Sequence, residues 1–140
     1  MIMESHPTSQ HQSGSGRGFS LVEVLAAITI IGIITFLAVP NIVRVKQDGE
    51  DNLARARAET LNMAMAAYVQ AVGTNTAQTA WAAAGNDDAR YLLIRQYIAF
   101  SETNRALFTP SGYTNDLPDT ISPLTTKVIL IGPTGATIPY

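Results

Sequence analysis

Cysteine is absent from this chain of 140 residues, and its two histidines, His6 and His11, both precede Gly18. Without cysteine there are no disulfides, thiolate metal sites or cysteine nucleophiles, and the redox compartment stays open. If the segment before Phe19 is removed, no imidazole remains, so Ser-His catalysis and most zinc chemistry lose their usual base or ligand. Charge is scarce too. Charged residues make up 14% of the chain and sum to -2, which leaves no basic stripe for binding nucleic acid. These absences argue against an enzyme.

What the chain does have is one long apolar run. From Phe19 to Val39 the only charge is Glu23, and Ile28, Ile30, Ile31, Ile33, Ile34 and Phe36 leave no wet helical face. Helical residues rise about 1.5 Å each, so this run reaches roughly 30 Å, the thickness of a bilayer's hydrocarbon core. It predicts a transmembrane helix, because the rest of the chain is too short to wrap so apolar a rod. A lone carboxylate in such a segment is costly unless partnered, which singles out Glu23. Pro40 either ends the helix at the membrane surface or bends a longer one. Helical patterning resumes at once, which favours the bend.

Upstream, residues 1–18 are polar and poor in apolar side chains, a composition that predicts disorder. They are a poor n-region for an ordinary secretory signal, and no A-x-A-like site follows the apolar run. Taken alone, the basic residues weakly favour a cytoplasmic C-terminal side: Arg17 is offset by Glu4 on one side, whereas Arg44 and Lys46 flank the other.

The segment Gly18-Phe19-Ser20-Leu21-Val22-Glu23, preceded by Arg17 and followed by the apolar helix and Pro40, resembles the type IV pilin and type II secretion pseudopilin family. The resemblance implies cleavage between Gly18 and Phe19 by a prepilin peptidase, which then N-methylates Phe19. It assigns Glu23 to assembly, pairing with the new amine of a neighbouring copy. The residues alone leave two other options: Glu23 meets its own amine or snorkels to the interface. Implied partners are the peptidase/methyltransferase, copies of the chain and other pilin-like subunits, and an inner-membrane assembly platform with its ATPase. The implied place is the bacterial inner membrane, single-pass, with a periplasmic C-terminal domain and a filament in the periplasm or at the cell surface. The function expected is a structural subunit of a type II secretion pseudopilus or type IV pilus. The alternative is a minor pilin-like tip or initiator that binds cargo, DNA or a surface. The absence of cysteine departs from the many pilins that close their C-terminal region with a disulfide, and shifts weight towards pseudopilin-type subunits.

The expected fold is therefore α+β and pilin-like. Residues 1–18 form a leader, 19–39 a transmembrane and assembly helix, 40–72 its amphipathic continuation and 73–140 a small globular domain. Leu61, Ala64, Met65, Tyr68 and Val72 recur at helical spacing and predict a core-facing stripe. Asp48, Glu50, Asp51, Arg55, Arg57 and Glu59 predict a wet middle, with Asp51–Arg55 as one i,i+4 pair. Gly73 is the expected terminator. Trp81 is expected to anchor a local core, and Asn86-Asp87-Asp88 to cap a short helix running to about Phe100. Lys127–Ile131 and Ala136–Pro139 predict two strands around the turn Gly132-Pro133-Thr134-Gly135. Asp116 and Asp119 could hold calcium, a property the resemblance attaches to major pseudopilins, but turn capping is the preferred use for these aspartates. No other cofactor is expected.

Overall fold

The computed structural model describes residues 18–140; the leader up to Arg17, with His6, His11 and Glu4, lies outside the described residues. The chain divides into two compact units at the step from Asn41 to Ile42. Helix α1 spans Leu21–Val72 and continues through Pro40. Between Leu21 and Asn41 its side chains are exposed except for the half-buried Ala38. The helix is thus held by its own backbone bonds, with no protein surface covering the apolar side chains among the described residues.

The second unit, Ile42–Tyr140, is built around the last five turns of α1. There Ala54, Ala58, Leu61, Ala64, Met65 and Tyr68 are buried in one stripe, the i, i+3, i+4 spacing of a single helical face. The small residues let neighbouring backbone approach, while Leu61, Met65 and Tyr68 fill the core. Gly73, with φ 85°, breaks the helix after Val72. Helix α2 then covers Thr74–Ala84, α3 Asp87–Ile94 and α4 Arg105–Phe108, with one 3-10 turn at Arg95–Tyr97. Asn86 caps α3, its side chain accepting from the Ala89 N–H at 2.8 Å, and Asn104 caps α4 in the same way through Leu107.

Three short strands follow: β1 Thr114–Asp116, β2 Ile129–Ile131 and β3 Thr137–Ile138, in the order β1-β2-β3 with both pairs antiparallel. Asn115 faces Leu130, and Leu130 faces Ile138. Leu130 and Asn115 are fully buried, so the sheet turns one face to the core and the other to solvent. Trp81 joins helices to loops: its ring is buried and its indole N–H donates to the Pro118 carbonyl at 2.8 Å. Tyr68 and Tyr97 pack with ring centroids 5.9 Å apart, and Tyr91 with Phe108 at 5.7 Å. The α1 side chain of Asn62 accepts the Val128 N–H at 2.9 Å, tying the sheet's approach to the helix.

The long helix and small sheeted part are those expected, with the details of the C-terminal part different. The expected helix from Asp87 to about Phe100 is regular only to Ile94, and the chain turns back at a positive φ on Phe100. The Tyr91 hydroxyl donates to the Glu102 carbonyl at 3.0 Å, and Arg95 Nη1 to the Thr103 carbonyl at 3.0 Å. Those two bonds hold the return and forbid a longer helix.

Candidate processing and assembly segment

Gly18, Phe19 and Ser20 lie ahead of α1 in non-helical backbone, and all three are exposed. The first intrahelical bond runs from the Val24 N–H to the Ser20 carbonyl at 3.2 Å, which makes Ser20 the N-cap. Its hydroxyl accepts from the Val22 N–H at 3.4 Å. The Glu23 carboxylate reaches back to accept the Ser20 backbone N–H at 2.8 Å through Oε2. Glu23 at N3 thus makes its half of a capping box, while the Ser20 hydroxyl takes the N–H of N2 instead of N3. The negative charge also lies in the first turn, where the helix dipole favours it.

Glu23 therefore has a partner inside its own chain. The capping signature Ser20-x-x-Glu23 was there to be found in the sequence, masked by the charge's position in an apolar run. Phe19 is 89% exposed, and nothing lies within 4 Å of where a Gly18 side chain would start. Among the described residues, the Gly18–Phe19 bond thus lies in exposed, non-helical backbone just outside a capped helix. Pro40 stands inside α1. The structure brings Gly18, Phe19 and Glu23 together at one helix end; Pro40, Asp116 and Asp119 are elsewhere.

Asp116 and Asp119 flank a cleft of about 300 Å³ that Leu117, Pro118, Lys127 and Ile129 also line. Asp116 is in β1, opposite Ile129. Asp119 Oδ1 accepts from both Arg90 Nη1 and Nη2 at 3.1 Å, so its carboxylate faces a protein cation. Arg90 is buried, stacked 5.8 Å from the Trp81 ring and 3.6 Å from Asp87. Burial pushes the Asp87 carboxyl above its usual value; Asp116 adds to this, while Arg105 and Arg90 oppose it. Among the described residues no three acidic, histidine or cysteine side chains converge as metal ligands.

A third polar cluster ties α1 to the loop before β1. The Tyr113 hydroxyl donates to Asp51 Oδ1, and Gln47 Nε2 donates to the same oxygen at 3.1 Å and to the Tyr113 oxygen at 2.9 Å. Asp51 thus serves Tyr113 and Gln47 in place of the expected Arg55 ion pair. The bond from Tyr113, then that from Gln47, holds the Asp51 carboxyl below its usual value. The same bond, with burial and the nearby Asp51 and Glu50 charges, pushes the Tyr113 phenol up to about 12.

Residues 15–39 match the prokaryotic N-terminal methylation motif, the signal motif of type IV pilins and pseudopilins. No curated protein and no solved structure matches the chain. The match covers the Gly18–Phe19 link, the Ser20–Glu23 cap and the apolar part of α1. The chain thus carries the signal of a type IV pilin-like or pseudopilin precursor, on an α+β, pilin-like fold. The long apolar helix and the motif fit a membrane-anchored, single-pass protein, and the proteins that bear this motif are structural subunits processed by a prepilin peptidase.

Proposed function

We propose that the chain is cut between Gly18 and Phe19, methylated on the new Phe19 amine, held in the membrane by the apolar part of α1, and then polymerised through that helix. The product is a structural subunit of a type II secretion pseudopilus or type IV pilus, with its Ile42–Tyr140 unit in the periplasm or on the filament surface. One observation carries this reading: the methylation motif covers an apolar stretch of α1, uncovered among the described residues, whose single charge, Glu23, stands four residues after the amine that cleavage creates.

The physics assigns the parts. Apolar side chains supply adhesion between subunits leaving the bilayer. A buried ion pair adds little net stability over apolar packing, but a wrong register strands two bare charges. Glu23 of one subunit beside the Phe19 amine of the next therefore sets alignment. Before assembly the same carboxylate rests on the Ser20 N–H, so it is never left unpartnered.

The capping box makes the test selective. Glu23→Gln keeps an acceptor for the Ser20 N–H, because glutamine serves in a capping box, but removes the charge. Glu23→Val removes both. Filaments sheared from cells are expected to be lost in both variants while leader removal continues. Normal filaments from Glu23→Gln would show that Glu23 acts only as a cap, and would overturn the registry role.

A further inference from the structure

We infer that Arg44 and Lys46 form a basic collar that binds the phosphate groups of anionic phospholipids where α1 leaves the membrane. This rests on the membrane-spanning reading of α1. About 20 helical residues cross a hydrocarbon core, and counting from Leu21 that number is reached at Pro40. Ile42, Val43, Arg44, Val45 and Lys46 then fall at headgroup depth.

Their side chains suit that depth. Ile42, Val43 and Val45 are 66%, 63% and 64% exposed in α1, so apolar surface continues beyond the length the hydrocarbon needs. Two cations are set among them, each with an aliphatic stem that lies along apolar surface while its head reaches phosphate. At about 100° per residue Arg44 and Lys46 point to nearly opposite sides of the helix, so each takes a different lipid. Among the described residues no ion pair or side-chain hydrogen bond engages Arg44, whereas Lys46 lies 3.6 Å from Glu50 on the exposed helix surface. Arg44 is the stronger lipid ligand for that reason. The acids Asp48, Glu50 and Asp51 come only further along, so the order from hydrocarbon outward is apolar, basic, acidic. Such a gradient attracts an anionic surface at the collar and repels it beyond.

The experiment uses the full-length chain in vesicles of phosphatidylcholine and phosphatidylglycerol in equal amounts. The protein is extracted in mild detergent, and the lipids that stay bound are weighed by native mass spectrometry. A basic residue near a membrane surface favours anionic lipid roughly five-fold, so several-fold enrichment of phosphatidylglycerol is expected. The variant Arg44→Gln/Lys46→Gln is expected to bring the ratio near one, and Arg44→Gln alone to account for most of the loss. Lys127→Gln, an exposed cation of the C-terminal part, is expected to leave the enrichment intact. Equal enrichment in the wild type and the double variant would overturn the collar. So would loss of enrichment in Lys127→Gln. Retention in the membrane after an alkaline carbonate wash is read separately, and a chain released by that wash refutes the span itself.

Discussion

Replacing Leu61 by alanine removes three carbon atoms from the middle of the α1 stripe, at a side chain with no solvent exposure. Leucine-to-alanine changes in cores cost about 3 kcal/mol, the lost transfer energy plus the cavity left behind. Met63 is two residues further along the same helix and 61% exposed, so Met63→Ala is expected to change stability by less than about 0.5 kcal/mol. The buried Trp81 reports the unfolding of the Ile42–Tyr140 unit without a label, because its emission shifts as water reaches it. With the full chain in mild detergent and a urea slope of about 1.5 kcal/mol/M, the Leu61→Ala midpoint should fall by ~2 M and the Met63→Ala midpoint by under about 0.4 M. Equal shifts would refute the assigned helix face. A Leu61→Ala shift below about 0.5 M would mean that α1 is not the spine of this unit.

Titration near 295 nm should show one tyrosine ionising close to 12, absent in Tyr113→Phe and moved back towards 10 in Asp51→Asn. Since the fold raises this phenol's pKa, its stabilisation is whole below 10 and disappears as pH climbs through about 12. Asp51 works at the other end: its lowered pKa gives stabilisation that holds above 3.8 and is lost as pH falls through the depressed value, so Asp51→Asn should flatten the acid limb of a stability-pH curve. Asp119→Ala takes two bonds from the buried Arg90 but is tempered by Asp119's exposure and by Asp87 nearby, so a loss of about 1 kcal/mol is expected by urea unfolding. Gly85 ends α2 at φ 71° without a close neighbour, so Gly85→Ala should cost about 1 kcal/mol from backbone strain alone and lower Tm by about 4–8 °C.

The spine was readable because its signals are local and redundant. The apolar run, the stripe from Leu61 to Tyr68 and the glycine at 73 all give the same helix. The turn at Gly132–Gly135 likewise announces its hairpin, although the ladder is limited to Ile129–Ile131 and Thr137–Ile138. Helix α2 was harder to see. Its Thr- and Ala-rich sequence buries only Ala77 and Trp81, and its N-cap, Gly73, offers no side-chain acceptor. Strand β1, Thr-Asn-Asp, has turn-forming residues and becomes a strand only because β2 supplies a distant ladder partner. At the motif, Gly18, Phe19 and Glu23 stand out by residue type and order. The second use of Glu23, as acceptor for the Ser20 N–H, follows from the helix beginning at Leu21, a boundary that sequence periodicity fixes least well. The Arg90–Asp119 pair joins residues 29 apart, and no sequence spacing encodes it.

The mass of the N-terminal peptide from protein isolated out of its own cell membranes tests the central claim most directly. The account predicts a chain that begins at Phe19 and carries one methyl group on its terminal amine. A peptide still containing Gly18 joined to Phe19 would contradict it.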